Sequence, residues 1–162
     1  MSRVDSHQGL MPSILDRLID PESAGTVARR GYGVAQMTEA VRRDLTELLN
    51  TRQSHEGLPP DFEELHRSIL AYGLPDLTSF DAVTPDDRRR IGQMIEKIIE
   101  RFEPRLRDVR ATVLTPGESR ERTIRFRVDA RLCLDPAPEV AFDTVLELST
   151  GRYAVTPSGA PS

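Results

Sequence analysis

Among the chain's 26 acidic residues, Glu103 is the one flanked by apolar residues at a special backbone position. It lies in IIERFEPRLRDVRATVL, where a helix-like apolar pattern runs into Glu103-Pro104-Arg105 and a strand-like pattern follows. A carboxyl in apolar surroundings is the type of group that serves as a general acid. Glycoside hydrolysis needs one carboxyl of raised pKa beside an ionised one. Arg105 opposes that role, because a nearby guanidinium favours the ionised carboxylate, and structural ion pairs often imitate catalytic sites. The same three residues also suit a corner lock. Proline fixes φ, the acid and base satisfy each other or nearby backbone groups, and the following sheet is set at one angle to the preceding helix. A rigid corner beside an open sheet is in turn a platform for an incoming strand or a partner's charge. Of catalysis, locking and partner binding, the pattern favours catalysis least.

The other chemistry-bearing residues form weaker patterns. TIRFRVDARLCL places Arg125, Arg127, Asp129, Arg131 and Cys133 on one strand face. No aromatic residues alternate with these arginines to stack bases. Asp143 and Glu147 in the next strand could pair with them across the hairpin, giving a solvated or partner-facing ion-pair lattice. Cys133 has no histidine at a recognisable catalytic spacing and reads as an ordinary small residue. His7, His55, His66 and Cys133 show no metal-ligand spacing, so neither metal nor cofactor is expected. The GYG at 31–33 lacks the spacing of either nucleotide fingerprint.

A chain of 162 residues fits one domain with one substantial core. Its net charge of −4 argues against a dedicated nucleic-acid binder. Positive charge comes almost wholly from arginine, with Lys97 the only lysine, and arginine favours planar, multi-bonded interface contacts. The single cysteine excludes an intramolecular disulfide and fits a reducing cytoplasm. No stretch approaches the ~20 apolar residues that span a bilayer, and the first residues lack the apolar core of a secretory signal. A cytosolic protein is expected, without direct membrane insertion.

These residues need elements to position them. Ile14, Leu15, Leu18 and Ile19 make one apolar face of a short helix over 13–20, with Ser13 as cap and Pro21 as stop. Such a helix must dock, either on its own domain or, across the glycine-containing connection behind it, on a partner. In MTEAVRRDLTELLNTRQ, Thr38 reads as an N-cap, with Val41, Leu45, Leu48 and Leu49 on one face and Arg42, Arg43, Asp44 and Glu47 on the other. Asp61 with Glu64 reads as a capping box, and Gly73 as the end of a short helix. Thr84 caps a further helix, with Pro85 at its first position and a stripe of Ile91, Met94, Ile95, Ile98, Ile99 and Phe102. Pro104 predicts its end at Glu103. Beyond it the period changes to two: Val109, Ala111 and Val113, then Ile124 to Leu134 at every second position, then VAFDTVLELST and RYAV. The expected class is α+β, with N-terminal helices packed on one face of a C-terminal antiparallel β-meander. The domain is expected over 13–155, with disordered tails at 1–12 and 156–162.

SILDRL, VRRDLTELLNTR, LPDLTS, FEPRL and FDTVLELSTGRYAV, in this order and spacing, resemble TssE, the lysozyme-like baseplate subunit family of type VI secretion systems. That family is related to a wedge protein of contractile phage tails. The resemblance runs from about Ser13 to Val155, and the EPR triplet that marks the family falls on Glu103, Pro104 and Arg105. It implies a structural, non-enzymatic part of a contractile injection machine, linking the wedge to the first ring of the sheath and promoting sheath assembly. The implied partners are wedge proteins of the TssF, TssG and TssK type and contractile sheath subunits, in a cytoplasmic baseplate docked at the inner membrane. The expected partner-binding residues are Glu103, Pro104, Arg105, Arg125, Arg127 and Arg131, with Ile14, Leu15, Leu18 and Ile19 on the first helix. A peptidoglycan hydrolase and a generic helical adaptor are the alternatives. The length of TIRFRVDARLCL and the shortness of RYAV also suggest a sheet edge that accepts a sheath strand close to the Glu103–Arg105 corner.

Overall fold

The computed structural model describes residues 13–19, 32–54, 57–75, 84–114, 123–134, 137–147 and 152–158. The tail expected at 1–12, residues 159–162 of the tail expected at 156–162, most of the glycine-containing connection and the TPGESRER turn lie outside these residues. The chain divides into two compact units, Met1–Val41 and Arg42–Ser162.

The smaller unit holds helix α1 (Ile14–Ile19) and the start of helix α2 (Val34–Asn50). Ser13 caps α1 as expected. Its Oγ accepts from Asp16 N at 3.1 Å, while the Asp16 carboxylate takes Ser13 N at 3.0 Å and Ser13 Oγ at 2.7 Å. Thr38 is not the cap of α2. The helix begins at Val34, where the Gln36 side chain accepts from Gly33 N, and the Thr38 hydroxyl donates back to Val34 O from the second turn. A threonine hydroxyl can satisfy itself one turn back as readily as it can cap.

The larger unit contains the rest of α2, helix α3 (Glu63–His66), a 3-10 turn (Ile69–Ala71), helix α4 (Pro85–Phe102) and strands β1 (Leu106–Val113), β2 (Thr123–Leu132), β3 (Glu139–Glu147) and β4 (Arg152–Pro157). The Asp61–Glu64 capping box does not form: Phe62 precedes α3, with no side-chain cap. Thr84 does cap α4, accepting from Asp87 N, and Glu103 ends it, its N–H bonded to Ile99 O. The four strands form one antiparallel sheet in the order β1-β2-β3-β4, the expected meander. β4 runs to Pro157, and Ser158 N donates to Ala141 O, so ordered structure extends beyond the boundary expected at 155.

Alternation sets the sheet's faces. Phe126, Val128, Ala130 and Leu132 of β2 are buried with Leu106, Phe142, Tyr153 and Val155, while Arg125, Arg127 and Arg131 face outward. Ile91, Ile95 and Ile99 of α4 and Leu45, Leu48 and Leu49 of α2 are buried with them. The helix approaches β1 closely at Gly92, where a Cβ would lie 2.5 Å from Ala111 O. Asp108, at φ 54°, forms a bulge between Arg107 and Arg110, so two residues of β1 oppose one of β2.

Thr144 is the exception within this core. It is 1% exposed, pairs with Phe126 and Val155, and its hydroxyl has no hydrogen-bond partner among the described residues. Thr144→Val should therefore stabilise the chain by about 1 kcal/mol, raising the melting temperature by roughly 2–4 °C. Thermal denaturation reads this directly; a lower melting temperature would contradict it.

Candidate partner-binding corner

Pro104 stops α4 and turns the chain into β1, and the turn is bonded at both ends. Leu106 N donates to Glu103 O at 3.1 Å, and Cys133 N at the end of β2 donates to Arg105 O at 2.8 Å. The Glu103 carboxylate is thereby carried inside, its residue only 3% exposed. Arg105 folds back onto it. Arg105 Nε donates to Glu103 Oε1 at 2.7 Å, its backbone N donates to the same oxygen at 3.1 Å, and its Nη2 donates to Glu103 Oε2. Both carboxylate oxygens are engaged, in the fork-to-fork geometry that arginine favours.

The same guanidinium also reaches across to α2. Nη2 donates to Asp44 Oδ2 at 2.6 Å, while Asp44 Oδ1 accepts from Arg43 at 2.9 Å. One arginine therefore ties the end of α4, the start of β1 and the middle of α2 together. Burial works against the Arg105 charge, but the hydrogen bonds and charges of Glu103 and Asp44 outweigh it and hold its pKa above the usual arginine range. Tyr72 completes the surround, edge-to-face with Phe102 at 5.3 Å between ring centres. Burial, with the Asp44, Glu47 and Glu103 carboxylates nearby, raises the pKa of its phenol. Tyr72 is placed by Gly73, whose φ of +103° and close approach to Thr51 O leave no room for a side chain, and by Leu74 N bonding Thr51 O at 2.8 Å.

The corner's chemistry is that of a clamp. Glu103 faces a guanidinium that holds both its oxygens, which is the opposite of the setting a general acid needs. Among the described residues, no group of histidine, cysteine, aspartate or glutamate is arranged to hold a metal ion.

The remaining expected residues are distributed over the fold. Arg125, Arg127 and Arg131 share the outer sheet face, so they do not join Arg105, which turns toward α2. Arg127 pairs with Asp129 at 3.0 Å, and Arg131 pairs with Glu139 at 3.3 Å and Asp108 at 3.8 Å. These are not the partners expected: Arg127 takes its neighbour along the strand rather than Asp143 opposite, and Arg131 takes Glu139 and Asp108. Arg125 has no ion pair among the described residues. In α1 the burial is inverted: Asp16 is 1% exposed, whereas Ile14, Leu15 and Leu18 are 77%, 56% and 77% exposed. The Ile19 side chain lies outside the described residues.

Asp44, a partner of the corner, carries no local sequence signal of that role. Its only mark was its place inside VRRDLTELLNTR, one of the stretches that carry the TssE resemblance.

Residues 35–137 match the family model described as baseplate wedge protein gp25. No curated protein matches the chain. A solved structure titled "The baseplate complex from the type VI secretion system" contains a chain that aligns at 18% identity and a TM-score of 0.48, covering 68% of this chain and 94% of that one.

Proposed function

This chain belongs to the baseplate wedge protein gp25 family, and we propose that it works in a type VI secretion baseplate, linking the wedge to the first ring of the contractile sheath and promoting sheath assembly. Its partners in this reading are wedge proteins of the TssF, TssG and TssK type and the sheath subunits. The baseplate stands in the cytoplasm, docked at the inner membrane. No described helix is long and apolar enough to cross a membrane.

The observation that carries the reading is the Glu103–Arg105–Asp44 clamp. It fixes the angle between two helices and the sheet from a turn at the edge of the unit, and Pro104 and Arg105 remain accessible there. A subunit that seeds a symmetric ring must present its surfaces at one angle, which a rigid corner secures. The outward arginines, Arg125, Arg127 and Arg131, offer charge to a partner on the sheet's other face. The exposed apolar side of α1 offers a docking helix. Affinity capture with purified wedge and sheath proteins tests the reading: both should be retained, and retention of the wedge alone would leave an adaptor without a sheath role.

The protein is not an enzyme in this account, despite the lysozyme-like label of the resembling family. Purified chain should release no muropeptides from peptidoglycan, because the best-placed acid is clamped by arginine. Reproducible release that disappears in Glu103→Gln would overturn this.

A further inference from the structure

We infer that the residues between α2 and α4 carry a docking knob, built on Phe62, Ile69 and Leu70, that enters an apolar pocket with a basic rim on a wedge protein. Burial along this segment runs against what the chain's own core requires. In the 3-10 turn Ile69–Ala71 the small Ala71 is buried, while Ile69 is 84% exposed and Leu70 also reaches solvent. A turn that served only its own core would bury the isoleucine and leave the alanine outside. Phe62, just before α3, is 58% exposed. Single apolar side chains on a surface are ordinary. A phenylalanine, an isoleucine and a leucine exposed between residues 62 and 70 are instead the material of a contact centre.

The knob is held in place before any partner arrives. Gln53 N donates to Leu74 O and Leu74 N donates to Thr51 O, each at 2.8 Å, so the two ends of the segment are tied together. Within it, Phe62 O accepts from Leu65 N at 3.0 Å, Ile69 O accepts from Tyr72 N at 3.2 Å, and Leu70 N donates to Ser68 Oγ at 3.2 Å. His66 Nε2 donates to Pro59 O at 3.0 Å. Each exposed apolar side chain thus stands on backbone that is already bonded, and docking it costs little conformational entropy.

Charge identifies the occupant. Asp61, Glu63 and Glu64 flank Phe62. Arg67 takes Glu63 at 2.8 Å, whereas Asp61 and Glu64 have no ion pair among the described residues. An apolar pocket that meets this acidic collar has a basic rim. Tyr72 continues the surface toward the corner: it follows the 3-10 turn directly and packs edge-to-face on Phe102, next to Glu103. The knob therefore extends the partner-binding corner on the side of the helices, while Arg125, Arg127 and Arg131 face outward from the sheet. A subunit that links two partners needs two such surfaces, and the one between the helices is assigned to the wedge. This inference rests on the reading of the chain as a wedge-bound subunit.

The affinity of the full chain for purified wedge proteins tests it. Phe62→Ser and Ile69→Ser should each lower that affinity about tenfold, the factor that burying such a side chain supplies. Their melting temperatures should change little, because neither side chain is buried in the free chain. Glu64→Lys should lower the affinity about threefold at low salt and less at high salt, as a rim charge does. Binding of purified sheath subunits should be the same for all of them. Unaltered wedge affinity in the double variant Phe62→Ser/Ile69→Ser would overturn the inference and leave the wedge role standing. A loss confined to sheath binding would make the sheath the occupant and also overturn it. Full affinity in Glu64→Lys would overturn the basic rim. If the unaltered chain binds no wedge protein, the knob and the proposed function fall together.

Discussion

Arg105→Ala is expected to destabilise the chain by about 3–5 kcal/mol, because it leaves a buried carboxylate without its cation. Glu103→Ala should cost less, about 1–3 kcal/mol, because Arg105 keeps Asp44 as a partner and retains some access to water. The double variant Glu103→Ala/Arg105→Ala should be more stable than Arg105→Ala alone, since it strands no buried charge. Denaturant unfolding of the purified chains gives these differences. In cells, Glu103→Ala and the double variant should both fold yet form few extended sheaths, because a folded subunit without the clamp no longer holds its surfaces at one angle. If the double variant assembled sheaths like wild type, the clamp would serve stability alone. If Arg105→Ala were no less stable than Glu103→Ala, Glu103 would have another partner and the reading of the corner would be wrong.

Deleting residues 1–20 is expected to weaken association with the wedge tenfold or more while changing the melting temperature little. Ile14 and Leu18 are each 77% exposed and Leu15 is 56% exposed. Burying such a side chain against a partner contributes about 1.5–3 kcal/mol, so even partial burial of three exceeds the ~1.4 kcal/mol that equals a factor of ten. The substitutions Ile14→Ser and Leu18→Ser should reproduce most of the loss without shortening the chain. A large fall in melting temperature with wedge binding intact would instead assign this helix to the protein's own core.

The parts of this fold that could be read from the sequence are those governed by local rules. The apolar stripe of α4, its Thr84 cap and its end before Pro104 each depend on residues within a turn or two, and each was legible. So was the meander, because Phe126, Val128, Ala130 and Leu132 alternate cleanly. The start of α2 was not, since Thr38 satisfies the cap rule equally well from inside the helix. One feature of the candidate site was hidden for a different reason. Arg105 meets Asp44 across 61 residues of chain. No periodicity records such a meeting, because it follows from how the helix lies on the sheet. The bulge at Asp108 was equally silent: aspartate tolerates a positive φ but does not demand one. Glu103 and Arg105 themselves could be found because they are two residues apart beside a proline.

Electron cryomicroscopy of the assembled baseplate with its first sheath ring shows whether this chain stands between the wedge and that ring. The chain is expected at that junction, with the Glu103–Arg105–Asp44 clamp intact and both wedge and sheath in contact with it. A first ring seated wholly on other subunits, with no contact to this chain, would contradict it.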